Sequence, residues 1–138
     1  MAYRKDWGQP QVGPMGFAGT QKVCGRVVTL SATDLVTGNT VGAFKVPAGF
    51  TVTGIIAVPT DMDSGAALTL SVGDAASGTR YLNASTMGQA ATTVTTLATT
   101  GLLFLNTADT EILVTCTLQG SSSVAGTLAL YLIGFMAQ

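Results

Sequence analysis

The chain is 138 residues long, about one domain's worth, with six Lys or Arg against seven Asp or Glu, a formal net charge of −1 and no histidine. Charged residues make up 9% and apolar residues 47%, against a norm near 25% charged for soluble proteins. Without histidine there is no Ser-His-Asp or Cys-His catalysis and no zinc site built on imidazole. The near-neutral balance lacks the phosphate-neutralising field of a nucleic-acid binder, and the low charge runs against intrinsic disorder. The remaining surface is Thr, Ser, Ala and Gly, which defends poorly against association. Such a chain is expected to work packed against others.

Residues 1–21 differ from the rest of the chain. They hold Pro10, Pro14, Gly8, Gly13, Gly16, Gly19 and the only tryptophan, Trp7. Met1 to Asp6 is polar with no apolar stretch behind it, so no secretory signal is expected. Three Gly-X-Y triplets run from Gly13 to Gln21, too few for a collagen helix. The segment reads as an extended arm without a core, able to reach roughly 70 Å. Trp7 and Phe17 are its expected anchors on a neighbouring surface.

From Lys22 to the end, a single β-domain is expected, with Thr and Val abundant and glycine-rich breaks recurring. The expected strands are Lys22–Leu30, Thr40–Val46, Phe50–Val58, Ala67–Val72, Arg80–Ala84, Leu102–Leu105, Glu111–Leu118 and Val124–Met136. Pro47-Ala48-Gly49 is turn chemistry between the second and third. In the third, Phe50, Val52, Ile56 and Val58 are expected to share a face, with Thr51 and Thr53 opposite. The fourth turns Leu68, Leu70 and Val72 inward and Thr69 and Ser71 outward. The Thr-rich stretch from Met87 to Thr100 is expected as loop, its β-branched residues being poor helix formers. The seventh strand turns Ile112, Val114, Cys116 and Leu118 inward. This period of two is what a sheet with one buried face requires.

The last strand departs from that rule. One face carries Val124, Leu128, Leu130, Leu132 and Met136; the other carries Ala125, Ala129, Tyr131, Ile133 and Phe135. A strand apolar on both faces is covered on both, and a two-sheet sandwich covers only one. The second face must meet either the N-terminal arm or another subunit, and a subunit contact is the favoured expectation. The stretch from Val124 to Ala137 is about 14 residues, short of the roughly 20 that span a bilayer as a helix, so no membrane partner is expected. The expected architecture is all-β: an eight-stranded, jelly-roll-like β-sandwich over residues 22–138, preceded by the arm.

The candidates for chemistry are few. Asp61 and Asp63 with Ser64 and Gly65 echo the start of a calcium loop, but the later ligand positions are missing, so an acidic turn is favoured and no metal or cofactor is expected. Asp74 and Arg80 bracket a loop and are expected to close it as an ion pair. Cys24 and Cys116 are expected as free thiols in strands, serving as small apolar residues. No nucleophile elbow or phosphate loop occurs, so no enzyme is expected.

The segments Phe44-Lys45-Val46-Pro47-Ala48-Gly49-Phe50-Thr51-Val52, Leu68-Thr69-Leu70-Ser71-Val72-Gly73-Asp74 with Thr79-Arg80-Tyr81-Leu82 shortly after, Asp109-Thr110-Glu111-Ile112 and Gly126-Thr127-Leu128-Ala129-Leu130-Tyr131 resemble small head decoration (cement) proteins of tailed bacteriophages. The resemblance spans about residues 40–135. It implies a jelly-roll-like protein that forms homotrimers on the outside of a phage capsid, bridges capsomers and stabilises the shell. The partners it implies are the major capsid protein and the chain itself, with synthesis in the host cytoplasm. Trp7, Phe17, Tyr131, Ile133 and Phe135 are the expected interface residues. A fibre or baseplate module, or a carbohydrate-binding sandwich, is the alternative, the latter poorly supplied with aromatic residues.

Overall fold

The computed structural model describes residues 21–136. They form two antiparallel sheets built from β1 (Gln21–Leu30), β2 (Thr40–Val46), β3 (Phe50–Pro59), β4 (Thr69–Gly73), β5 (Leu82–Ser85), β6 (Thr110–Leu118) and β7 (Gly126–Met136). One sheet has the order β1-β7-β3, the other β2-β6-β4-β5. The chain passes from sheet to sheet at most connections, and this interleaving is the jelly-roll order.

The eighth position belongs to the segment through Leu102–Leu105. It runs along the free edge of β3, where Leu103 N donates to the Val52 carbonyl at 2.7 Å, Val52 N to Phe104 at 3.0 Å and Asn106 N to Phe50 at 2.9 Å. Leu105 forms a bridge with Thr51. Leu103 has a φ of 59°, a left-handed conformation that interrupts a continuous ladder. The Thr-rich stretch contains one 3-10 turn, Met87–Gln89, and further on Val94 exchanges two backbone bonds of 2.9 Å with Ala57. The edge of β3 is thereby covered at two places, and β1 is the other edge of its sheet.

Between the sheets lie Phe50, Leu30, Ile55, Leu70, Ile112, Leu128 and Leu130, each fully buried, with Leu35, Met62, Leu68, Tyr81 and Met87 closing the ends. Each large apolar side chain so buried contributes about 1.5–3 kcal/mol. Along β7, Leu128, Leu130 and Leu132 point into this core, while Ala129, Tyr131, Ile133 and Phe135 take the opposite face, as the alternation requires.

The third strand corrects the expectation. A bulge between Val52 and Gly54 shifts its register against β7. Phe50 and Val52 face inward before it, and Ile55 and Ala57 after it, so Ile56 and Val58 turn outward. One extra residue in a strand exchanges its faces. Other corrections are local. Leu118 is 51% exposed at the end of β6, and Val124 is 49% exposed in the turn before β7. Ser71, expected to point outward into solvent, is buried, and its hydroxyl is satisfied there by the backbone N–H of Ala84, which donates to it at 2.9 Å. β4 starts at Thr69 rather than Ala67 because the N–H groups of Ala67 and Leu68 go to Asp63. Similarly, Arg80 lies in the turn before β5, its N–H bonded to Ser77.

Candidate interaction surface

The outer face of the β1-β7-β3 sheet is assembled from three strands by their register. Ala129 lies between Val27 and Val58, Tyr131 between Gly25 and Ile56, and Ile133 between Val23 and Gly54. Val23 is 60% exposed, Val27 50%, Val58 43% and Ile56 38%. Tyr131, Ile133 and Phe135 are half-buried. The two glycines explain part of this. A Cβ on Gly25 would meet the Tyr131 Cδ1 at 2.7 Å, and one on Gly54 would meet the Ile133 side chain at 3.7 Å. Tyr131 thus lies across Gly25, and Ile133 sits beside Gly54. Among the described residues no charged side chain stands on this face. This contiguous apolar surface is the candidate interaction face of the sandwich.

The other sheet presents a different outer face. Thr40 and Thr115 hydroxyls hydrogen-bond at 3.1 Å across β2 and β6, Thr69 and Thr117 at 2.7 Å across β4 and β6, and Lys45 stands opposite Glu111. Two of its threonine pairs are thus joined hydroxyl to hydroxyl across strands. The sandwich therefore has one apolar outer face and one threonine-laddered face.

Tyr131, Ile133 and Phe135 come together here, and Val23, Val27, Ile56 and Val58 join them from the flanking strands. Sequence pattern did not single out those four. Val23 and Val27 carry a period-two signal within β1, whereas Ile56 and Val58 are placed by the bulge alone. Trp7 and Phe17 lie outside the described residues.

Asp74 and Arg80 meet at one end of the sandwich. Arg80 Nε donates to Asp74 Oδ2 at 2.7 Å, and Asp74 Oδ1 accepts the N–H groups of Ala76 at 3.0 Å and Ser77 at 2.8 Å. Burial of the Asp74 carboxyl works to raise its pKa, but the Arg80 guanidinium and these N–H groups outweigh it and hold it below the usual value. The guanidinium also stacks on Phe104, 3.7 Å from the ring centre, a contact worth about 1 kcal/mol. The pair walls an open hollow of about 240 Å³ with Ala75, Phe104, Asn106 and Thr110. Its charges are spent on each other and on the loop backbone, so this is loop closure.

Asp63 is fully buried. Its Oδ1 accepts from Gly65 N and Ser122 N, both at 3.0 Å, and its Oδ2 from Ala67 N at 3.1 Å and Leu68 N at 3.0 Å. Burial alone would raise its pKa, yet the four N–H donors lower it to about 2. Both oxygens are saturated by backbone, which makes Asp63 a clamp between two loops. Among the described residues no group of three metal-ligating side chains occurs. Cys24 and Cys116 are free thiols, and burial pushes both pKa values up, away from nucleophilic thiolate chemistry.

The fold is a charge-poor jelly roll with one apolar outer sheet face. No protein-family model and no curated protein matches the chain. Among solved structures it is similar to a chain of the cyanophage Pam1 capsid asymmetric unit, with 30% identity, 99% of each chain covered and a TM-score of 0.80. A chain of the capsid of Ralstonia phage GP4 matches with 22% identity over 93% of this chain and 92% of that one, with a TM-score of 0.76. A chain of the acid-stable capsid of Helicobacter pylori bacteriophage KHP30 shares the fold at 8% identity, covering 86% of this chain and 95% of that one, with a TM-score of 0.59. The chain belongs to the family of phage virion proteins represented by the Pam1 capsid chain.

Proposed function

We propose that the protein is a non-enzymatic head decoration protein, which binds the outer surface of a phage capsid as a homotrimer, bridges capsomers and stabilises the shell. The observation that carries this reading is the end-to-end likeness to a chain of a capsid asymmetric unit. The apolar, charge-free face of β1-β7-β3 supports it physically, since burial of that face drives association without any reacting group. Repetition of weak contacts over many copies on one shell multiplies them into stable attachment. Tyr131, Ile133 and Phe135 are assigned to the interface, with Trp7 and Phe17 as anchors from the arm.

The test is sedimentation of the purified full chain with empty shells of its own major capsid protein, beside its solution mass by light scattering. Pelleting with shells and a trimeric mass are expected. Ile133→Lys on the outer face is expected to lower both, and Thr40→Lys on the threonine-laddered face to leave both unchanged. A wild-type chain that stays in the supernatant at saturating shell concentration overturns the decoration role. Retention on fibre, baseplate or glycan preparations in that case favours the alternative modules.

A further inference from the structure

The outer face of β1-β7-β3 needs an occupant, and its size narrows the choice. Three strands at about 4.8 Å spacing and a β1 length of about 33 Å give a face of roughly 480 Å². A stable pairwise interface draws about 800 Å² from each partner. Flat stacking of this face on another body falls short of that, so a segment that can wrap fits better.

Such a segment exists in the chain. Residues 1–20 precede β1, whose first residue, Gln21, lies opposite Phe135 at the end of this sheet. The preceding chain thus departs from the rim of the same face. Twenty residues reach about 65 Å when extended, twice the length of the face. They carry Trp7, Val12, Met15 and Phe17, and Pro10 and Pro14 have no N–H with which to extend a ladder at a strand edge. Apolar side chains with interrupted donors suit docking across a side-chain face. At about twice the length of the face, a segment of this size is long enough to reach the same face of a second copy.

We propose that residues 1–20 of one copy lie across the outer β1-β7-β3 face of a neighbouring copy, with Trp7 and Phe17 seated among Val23, Val27, Ile56 and Val58 around Tyr131. This contact rests on the self-association proposed for the decoration role and supplies its means. It is head-to-tail, and three such contacts close a ring.

Trp7 is the only tryptophan, so its fluorescence in the full chain reports the environment of the arm. In the wild-type oligomer, blue-shifted emission shielded from acrylamide is expected. Val27→Lys with Ile56→Lys, both at exposed positions, is expected to shift the emission to that of solvated tryptophan and reduce the mass to that of a monomer. Trp7→Ala with Phe17→Ala, which leaves the sandwich untouched, is expected to give the same loss of mass. Solvated Trp7 in the wild-type oligomer overturns the proposal, as does shielding that survives Val27→Lys with Ile56→Lys. Shielded Trp7 in a monomeric wild-type protein assigns the arm to its own face and overturns the exchange. Failure of shell sedimentation with all the fluorescence outcomes intact removes the capsid role and leaves the contact standing.

Discussion

Asp63 shows how much a single carboxylate can organise. Its four backbone donors come from two loops, the more distant being Ser122, 59 residues along the chain. Hydrogen bonds to the ionised form outweigh the desolvation that opposes it, and its pKa falls to about 2. The folded pKa lies below the unfolded value of about 3.9, so the contribution is fully present above about pH 4 and is lost as pH falls through about 2. Asp63→Asn, which keeps one acceptor oxygen and gives up the charge, is expected to lower the urea midpoint at pH 7. The gap to wild type is expected to narrow steadily between pH 4 and 2; a gap that widens there contradicts the clamp. The sequence displayed Asp61 and Asp63 as an acidic turn, but the donors from Ser122 and Leu68 depend on the fold. Asp74 and Arg80 were legible because six residues separate them and one loop joins them.

At the scale of elements, the central strand β7 organises its sheet. Its alternation survives along the whole strand, which is why its two apolar faces are visible in the sequence. β1 lies close against it where Gly25 removes a side chain. A Cβ on Gly25 would run into the Leu130 carbonyl and sit 2.6 Å from Tyr131 Cα. Overpacking of this kind costs about 1–3 kcal/mol. Gly25→Val is therefore expected to destabilise the chain by that amount in urea unfolding and to raise amide exchange along β1. An unchanged midpoint would mean that β1 can draw away from β7 without loss. The phase of β3 was not legible, because its bulge is defined against β7 and nothing within Phe50–Pro59 except Gly54 hints at it. The segment at Leu102–Leu105 read as a strand on composition, and the left-handed Leu103 limits it to a bridged edge.

For the whole molecule, the two outer faces divide the labour. Threonine hydroxyls pair across strands on one sheet surface, while the other surface is apolar and, in the function proposed above, is the one that associates. Of the described basic residues, Arg80 is held by Asp74, and Lys22, Arg26 and Lys45 stand off the apolar face. Attachment driven by that face is screened little by salt, in contrast to attachment through exposed charges. Self-association is expected to change less than about twofold between roughly 0.05 and 0.5 M NaCl, a range over which the Debye length falls from about 14 to about 4 Å. A tenfold loss over that range would transfer the docking role to the basic residues of β1 and β2.

By itself the sequence determined the class of fold, the absence of histidine chemistry and the two-sided apolarity of the last strand. Each of these depends on composition or on a period of two, which a chain carries before it folds. Tertiary structure decided which residues stand beside Tyr131, since the Val52–Gly54 bulge turns Ile56 and Val58 outward only when β3 pairs with β7. It also decided that Asp63 is a clamp, since the Ser122 N–H that ties its own turn to a second loop arrives from 59 residues along the chain. Local pattern sets which face of a strand is apolar; register and loop closure, which are pairings between remote segments, set what that face becomes.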